Sequence, residues 1–205
     1  MRPVLAVLAP LALAACFDAE MTLDFIDAET VEISAMTTMS RELYDMGAMS
    51  GSDPCEGGEG KVTASEYTCV QTSTGSIDEI VATGTGPIGM EDFELGEGLT
   101  LTRDGDNIVV VSFDLDAMTD TNDPDDPLAD LDDAMAAAFV GHSVIYRIRG
   151  YKILSTTGDL SEDGTEAEIV IPIPSLATGD LPVESPFVTE VQLAKDCAFL
   201  GLFCD

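Results

Sequence analysis

The side chains best placed to do chemistry are the five cysteines, Cys16, Cys55, Cys69, Cys197 and Cys204. A thiolate can be alkylated, can hold a metal or can close a disulfide, and its surroundings decide which. Cys16 follows Leu13-Ala14-Ala15 at the end of an apolar run that begins at Val4, with Arg2 as the one early cation. A cationic start, an apolar stretch and small residues before a cleavage point make an export signal, so this segment is expected to be a targeting sequence absent from the mature chain. The run is too short to be a membrane span: twelve helical residues reach about 18 Å, against a hydrocarbon core of about 30 Å. The other four cysteines are an even set in an exported chain, which reads as two disulfides. Three connectivities are open. The local one, Cys55 with Cys69 and Cys197 with Cys204, would close two short loops, each stabilising by roughly 2.5 to 3 kcal/mol on the loop-entropy model. A metal site is the competing reading of the same thiols, but no C-x-x-C pair exists and His142 is the sole histidine, so no metal is expected.

The tetrapeptide Leu13-Ala14-Ala15-Cys16 resembles the lipobox of bacterial lipoproteins. That resemblance implies cleavage before Cys16 and a diacylglyceryl group on its sulfur, with no other cofactor. It places the chain in the bacterial cell envelope, tethered to a membrane and facing the periplasm. Two or more acyl chains hold a protein stably where one is marginal. An ordinary export signal with an unmodified Cys16 is the alternative.

Charge narrows the partners further. Loss of residues 1–15 removes one cation and no acid, leaving seven cations against 39 acids, so the net charge moves from −31 to −32. Nucleic acid needs a cationic footprint and is excluded. An anionic membrane surface would repel such a body, so the anchor must supply the membrane affinity.

Catalytic patterns are wanting, and no enzyme is expected. His142 and Ser143 are neighbours and cannot form a hydrolytic dyad by adjacency, and no carboxylate motif accompanies the histidine. Gly57-Gly58-Glu59-Gly60 lacks the strand before it and the Lys-Ser/Thr after it that a phosphate loop requires. The acidic stretch 116–126 gathers oxygen donors suited to calcium, yet Pro124 and the missing closing glutamate break the EF-hand pattern, so it reads as a solvated loop. Arg147, Arg149 and Lys152 read as a strand face neutralising nearby acids, with an anionic headgroup site as the alternative.

The elements that must position these groups are mostly strands. Alternation of Met21, Leu23 and Phe25, then Val31, Ile33 and Ala35, predicts a hairpin over 21–26 and 30–37, leaving 16–20 as the lipidated anchor and a short linker. Ser40 caps a short helix over 41–49 with Leu43 and Met46 or Met49 facing inward, and Ser76 with Glu79 opens a second short helix. Asp104-Gly105 between β-rich runs predicts a hairpin over 99–115. The main helix is expected over about 128–140, with Pro127 at its start and Gly141 at its end. Strands follow over 143–149, 151–156, 166–173 and around 187–193, and the apolar stretch 198–203 is expected to be hidden. The fold class is α+β, a mostly antiparallel sheet in a single domain over 21–205.

This order of elements, with Gly150-Tyr151-Lys152-Ile153 leading through Asp163-Gly164-Thr165 to Ile171-Pro172, resembles the LppM-like envelope lipoproteins over roughly residues 20–180. The resemblance implies a curved antiparallel sheet and the binding of lipids or glycolipids. The chain departs from that family in lacking an apolar carboxy-terminal span and in carrying Cys197 and Cys204. Two roles remain open: a non-enzymatic anchored domain binding a lipid or other hydrophobic ligand, or a structural or assembly lipoprotein acting through an envelope protein.

Overall fold

The computed structural model describes residues 17–49, 55–83, 98–116, 139–178, 180–181 and 185–195. Within them the fold is α+β and mostly antiparallel, built as two sheets. The larger has seven strands, β1 (Phe17–Phe25), β2 (Thr30–Ser40), β3 (Glu59–Val62), β4 (Glu66–Ser76), β7 (Ser143–Arg149), β9 (Asp159–Leu160) and β10 (Glu166–Pro172), in the order β3-β4-β2-β1-β7-β10-β9. The smaller holds β5 (Leu99–Arg103), β6 (Ile108–Phe113), β8 (Lys152–Thr156) and β11 (Phe187–Gln192), in the order β5-β6-β11-β8. Three helices complete it: α1 (Arg41–Met49), α2 (Ile77–Thr83) and α3 (Ile173–Thr178).

Period-two alternation decides which face each strand buries. Met21, Leu23 and Phe25 of β1, Val31 and Ile33 of β2, and Tyr146 and Ile148 of β7 turn inward, meeting Val109, Val111, Phe113, Phe187 and Val191 from the smaller sheet in one core. The Phe113 and Tyr146 rings sit 4.8 Å apart across the two layers. Turns fix the registers. Asp27 accepts hydrogen bonds from the backbone N–H groups of Glu29 and Thr30, both at 2.8 Å, and so closes the β1–β2 hairpin. Gly105 takes φ +81 in the β5–β6 turn, a conformation that glycine adopts freely.

The centre of the larger sheet is not local. β1 pairs with β7 in parallel, Ala19 beside Val144 through to Asp24 beside Arg149, while β10 joins β7 antiparallel. From β7 the chain passes to the other sheet at Gly150 and returns at Gly158. Both passages are tight. A Cβ on Gly150 would lie 2.3 Å from Val191 Cγ1, and one on Gly158 would lie 2.5 Å from the Glu168 carbonyl oxygen.

Several expectations change. The strand β1 takes in residues 17–20, expected to be linker, because Asp18 and Glu20 find partners on the strand beside them. No side chain of α1 is buried: Met46 is 51 % exposed and Met49 81 %. The helix is instead held through Tyr44, whose ring stacks on Tyr67 at 4.2 Å, while Ser40 Oγ accepts from the Leu43 N–H as expected of a cap. The chain also turns into α3 at Ile173, which the alternation had assigned to the strand. The expected main helix over 128–140 falls almost wholly outside the described residues, as does most of the acidic stretch 116–126; of that helix, Phe139 and Val140 stand in a turn.

Candidate functional site

The two ends of β1 carry what this fold offers for function. Cys16 lies outside the described residues, but hydrogen-bonded strand begins at the next residue, Phe17. Beside the start of β1, Asp18 bridges to the segment entering β7: one carboxylate oxygen accepts from the Ser143 N–H at 2.9 Å and the other lies 3.1 Å from His142 Nδ1. His142 therefore has a carboxylate partner after all, one that stands 124 positions away in sequence and is invisible to any local motif. Ser143 supplies its backbone to this contact, and its neighbour His142 is turned to Asp18, so the pair is a strand-positioning device.

One row further along, Arg147 stands among Glu20, Glu166 and Glu168, with Nε 2.6 Å from Glu168 and a second ion pair to Glu20. Desolvation works against its charge, yet the hydrogen bonds and charges of Glu168 and Glu20 prevail and hold the guanidinium above its ordinary pKa. Arg149 pairs with Glu166. These two arginines thus neutralise strand neighbours, the plainer of their two expected roles. Tyr146, turned to the core beside them, has its hydroxyl pushed up to about 12 by burial.

Cys55 and Cys69 form a disulfide, with Cα atoms 5.5 Å apart. It lies with Tyr67, Met39 and Tyr44 in a small apolar cluster separate from the main core, tying the 55–58 turn to β4 and backing the stacked ring of α1. Cys197 and Cys204 lie outside the described residues. Among the described residues no group of three His, Cys, Asp or Glu side chains is arranged to hold a metal ion, and no helix is long and apolar enough to cross a membrane.

At the far end of β1 an open groove of about 510 Å³ runs between the β1–β2 turn, the Gly150 corner and the exit of β11. Ile26 and Tyr151 line it with 57 % and 46 % of their surfaces exposed, and Lys195 and Asp24 flank them. Asp27, also on its rim, is held below the usual carboxylate range, first by the Glu29 N–H and then by Thr30. The position of its floor is fixed by Asn107, which exchanges two 2.8 Å hydrogen bonds with the backbone of Ala194. Nothing in the sequence marked this groove, since Ile26, Tyr151 and Lys195 meet only through tertiary structure.

No family model matches the chain, and no curated protein matches it. The fold is similar to the NMR structure of the folded domain of Mycobacterium tuberculosis LppM, with 13 % sequence identity and a TM-score of 0.46 over 88 % of this chain and 91 % of that one.

Proposed function

We propose that this protein is a lipid-anchored, non-enzymatic lipoprotein of the bacterial envelope, held to a membrane through Cys16, facing the periplasm and binding a hydrophobic ligand. The observation that carries the anchor is the tetrapeptide Leu13-Ala14-Ala15-Cys16, which ends one residue before β1. A body with 39 acids gains little from an anionic bilayer by itself, and two acyl chains at about 0.8 kcal/mol per buried CH₂ supply what its charge withholds. Binding is supported by the groove at the far end of β1: its volume of about 510 Å³ lies in the range usual for small-molecule sites, and it joins the apolar Ile26 and Tyr151 to a cation, Lys195.

Mass spectrometry of the protein taken from its host is expected to give a chain starting at an acylated Cys16, and Cys16→Ser is expected to move the protein from the membrane fraction to the soluble one. A soluble protein with a free thiol at that position refutes the anchor. Organic extraction of the acylated protein is expected to release a hydrophobic molecule whose yield falls in an Ile26→Asp, Tyr151→Asp variant; an unchanged yield refutes the groove as its site. A second reading, an assembly lipoprotein that meets an envelope protein, is favoured by the groove's openness to solvent at the end of β1 away from Cys16. Periplasmic crosslinking from Tyr151 separates the two.

A further inference from the structure

We propose that the end of the larger sheet where β1 starts is a seat for the bilayer surface, with Met46, Met49 and Val140 as the side chains that enter it. This rests on the anchored reading of Cys16 and adds to it a fixed orientation of the folded body.

Three observations converge. First, β1 is paired from Phe17 onward, Phe17 facing Met39 of β2, so no free linker separates an acyl group on Cys16 from the sheet. One residue reaches at most about 3.5 Å, which keeps the end of the sheet at the depth of the anchor. Secondly, the register brings two other segments to that same end. α1 leaves β2 at Ser40, one position beyond the partner of Phe17, and the turn over 139–141 leads into β7 beside Asp18. Thirdly, these two segments carry large apolar side chains that the fold leaves in solvent: Met49 is 81 % exposed, Val140 72 % and Met46 51 %. The helix does not need its methionines for packing, because Tyr44 makes that contact on Tyr67.

The occupant follows from the anchor. Anything that covers these side chains must lie where the acyl chains enter, and that is the boundary between headgroups and hydrocarbon. Unbranched, flexible methionine adapts to such an irregular surface.

The chain contains no tryptophan, so a single introduced indole reports without background. Met49→Trp, Val140→Trp and, in the β1–β2 turn at the opposite end and outside the groove lining, Glu29→Trp would each be placed in the acylated protein. Each would be reconstituted into phosphatidylcholine vesicles carrying a minority of phosphatidylglycerol, with and without lipid brominated in its acyl chains. The expected result is that the indoles at 49 and 140 shift to the blue on reconstitution and lose most of their emission to bromine, while that at 29 does neither. Flotation of all three variants with the vesicles, but equal and weak quenching, overturns the seat and leaves the anchor standing. Failure to float overturns the anchored reading and the seat with it.

Discussion

Gly150→Ala tests whether the passage between the two sheets is as close as the structure has it. The new Cβ would stand 2.3 Å from Val191 Cγ1, 3.4 Å from the Gln192 carbonyl oxygen and 3.8 Å from Phe25 Cβ. Carbon atoms rest about 3.5 to 4.0 Å apart, so one partner must move by more than 1 Å. Val191 is fully buried, and a β-branched side chain in a strand has few rotamers to escape into. Overpacking of this kind typically costs about 1 to 3 kcal/mol, and the nearby backbone oxygen places this site toward the upper figure. Val191→Ala alone opens a hole and is expected to cost about 2 kcal/mol. Combined, the alanine at 150 partly fills the space that Cγ1 leaves, so the double variant is expected to fall short of the sum by at least about 1 kcal/mol. Urea unfolding of the four proteins, followed by far-ultraviolet circular dichroism, measures the cycle. A neutral Gly150→Ala, or strict additivity with Val191→Ala, refutes the close approach.

Other outcomes follow from the same geometry. Replacing Cys55 and Cys69 by serine is expected to remove about 3 kcal/mol, read as a lower urea midpoint under non-reducing conditions. Tyr146, neutral in the fold up to about pH 12 but ionising near 10 when unfolded, contributes stability that is complete below pH 10 and falls away between pH 10 and 12. That loss amounts to about 3 kcal/mol, and unfolding curves across the window are expected to be flatter for Tyr146→Phe than for the parent. Arg147→Gln strands Glu20 and Glu168, both largely covered, and is expected to cost about 1 to 3 kcal/mol, read as a lower urea midpoint. Non-reducing peptide mapping is expected to recover Cys55 joined to Cys69 and Cys197 joined to Cys204, leaving Cys16 outside the disulfide set.

Local alternation was enough to place most strands. Met21, Leu23 and Phe25 alternate because one face of β1 meets the core, and Asp104-Gly105 turns where glycine is needed at positive φ. What the sequence could not give is pairing at a distance. The parallel contact of β1 with β7 leaves no periodic trace, so Asp18 and Glu20 looked like linker and His142 looked unaccompanied, although each is settled by the other strand. Helical spacing likewise pointed Leu43 and Met46 or Met49 inward, since periodicity records a stripe without saying what lies opposite; Leu43 is half-buried, both methionines are exposed, and the stacking of Tyr44 on Tyr67 holds the helix. The cysteine count implied two bridges without saying which partners meet, and the pairing of Cys55 with Cys69 emerged only with the registers of β3 and β4. The groove gathers Ile26, Tyr151 and Lys195 from three separate segments, each unremarkable alone.

The place of β1 in the larger sheet has a consequence for biogenesis. During synthesis β1 gains one neighbour at once, by the β2 hairpin, but the neighbour on its other side is not made until residues 143–149 have followed. Until then an edge of unpaired N–H and C=O groups faces whatever else is nearby, the condition under which chains join strands with one another. A carboxy-terminal truncation before residue 143 is therefore expected to be trapped half-built and self-associating.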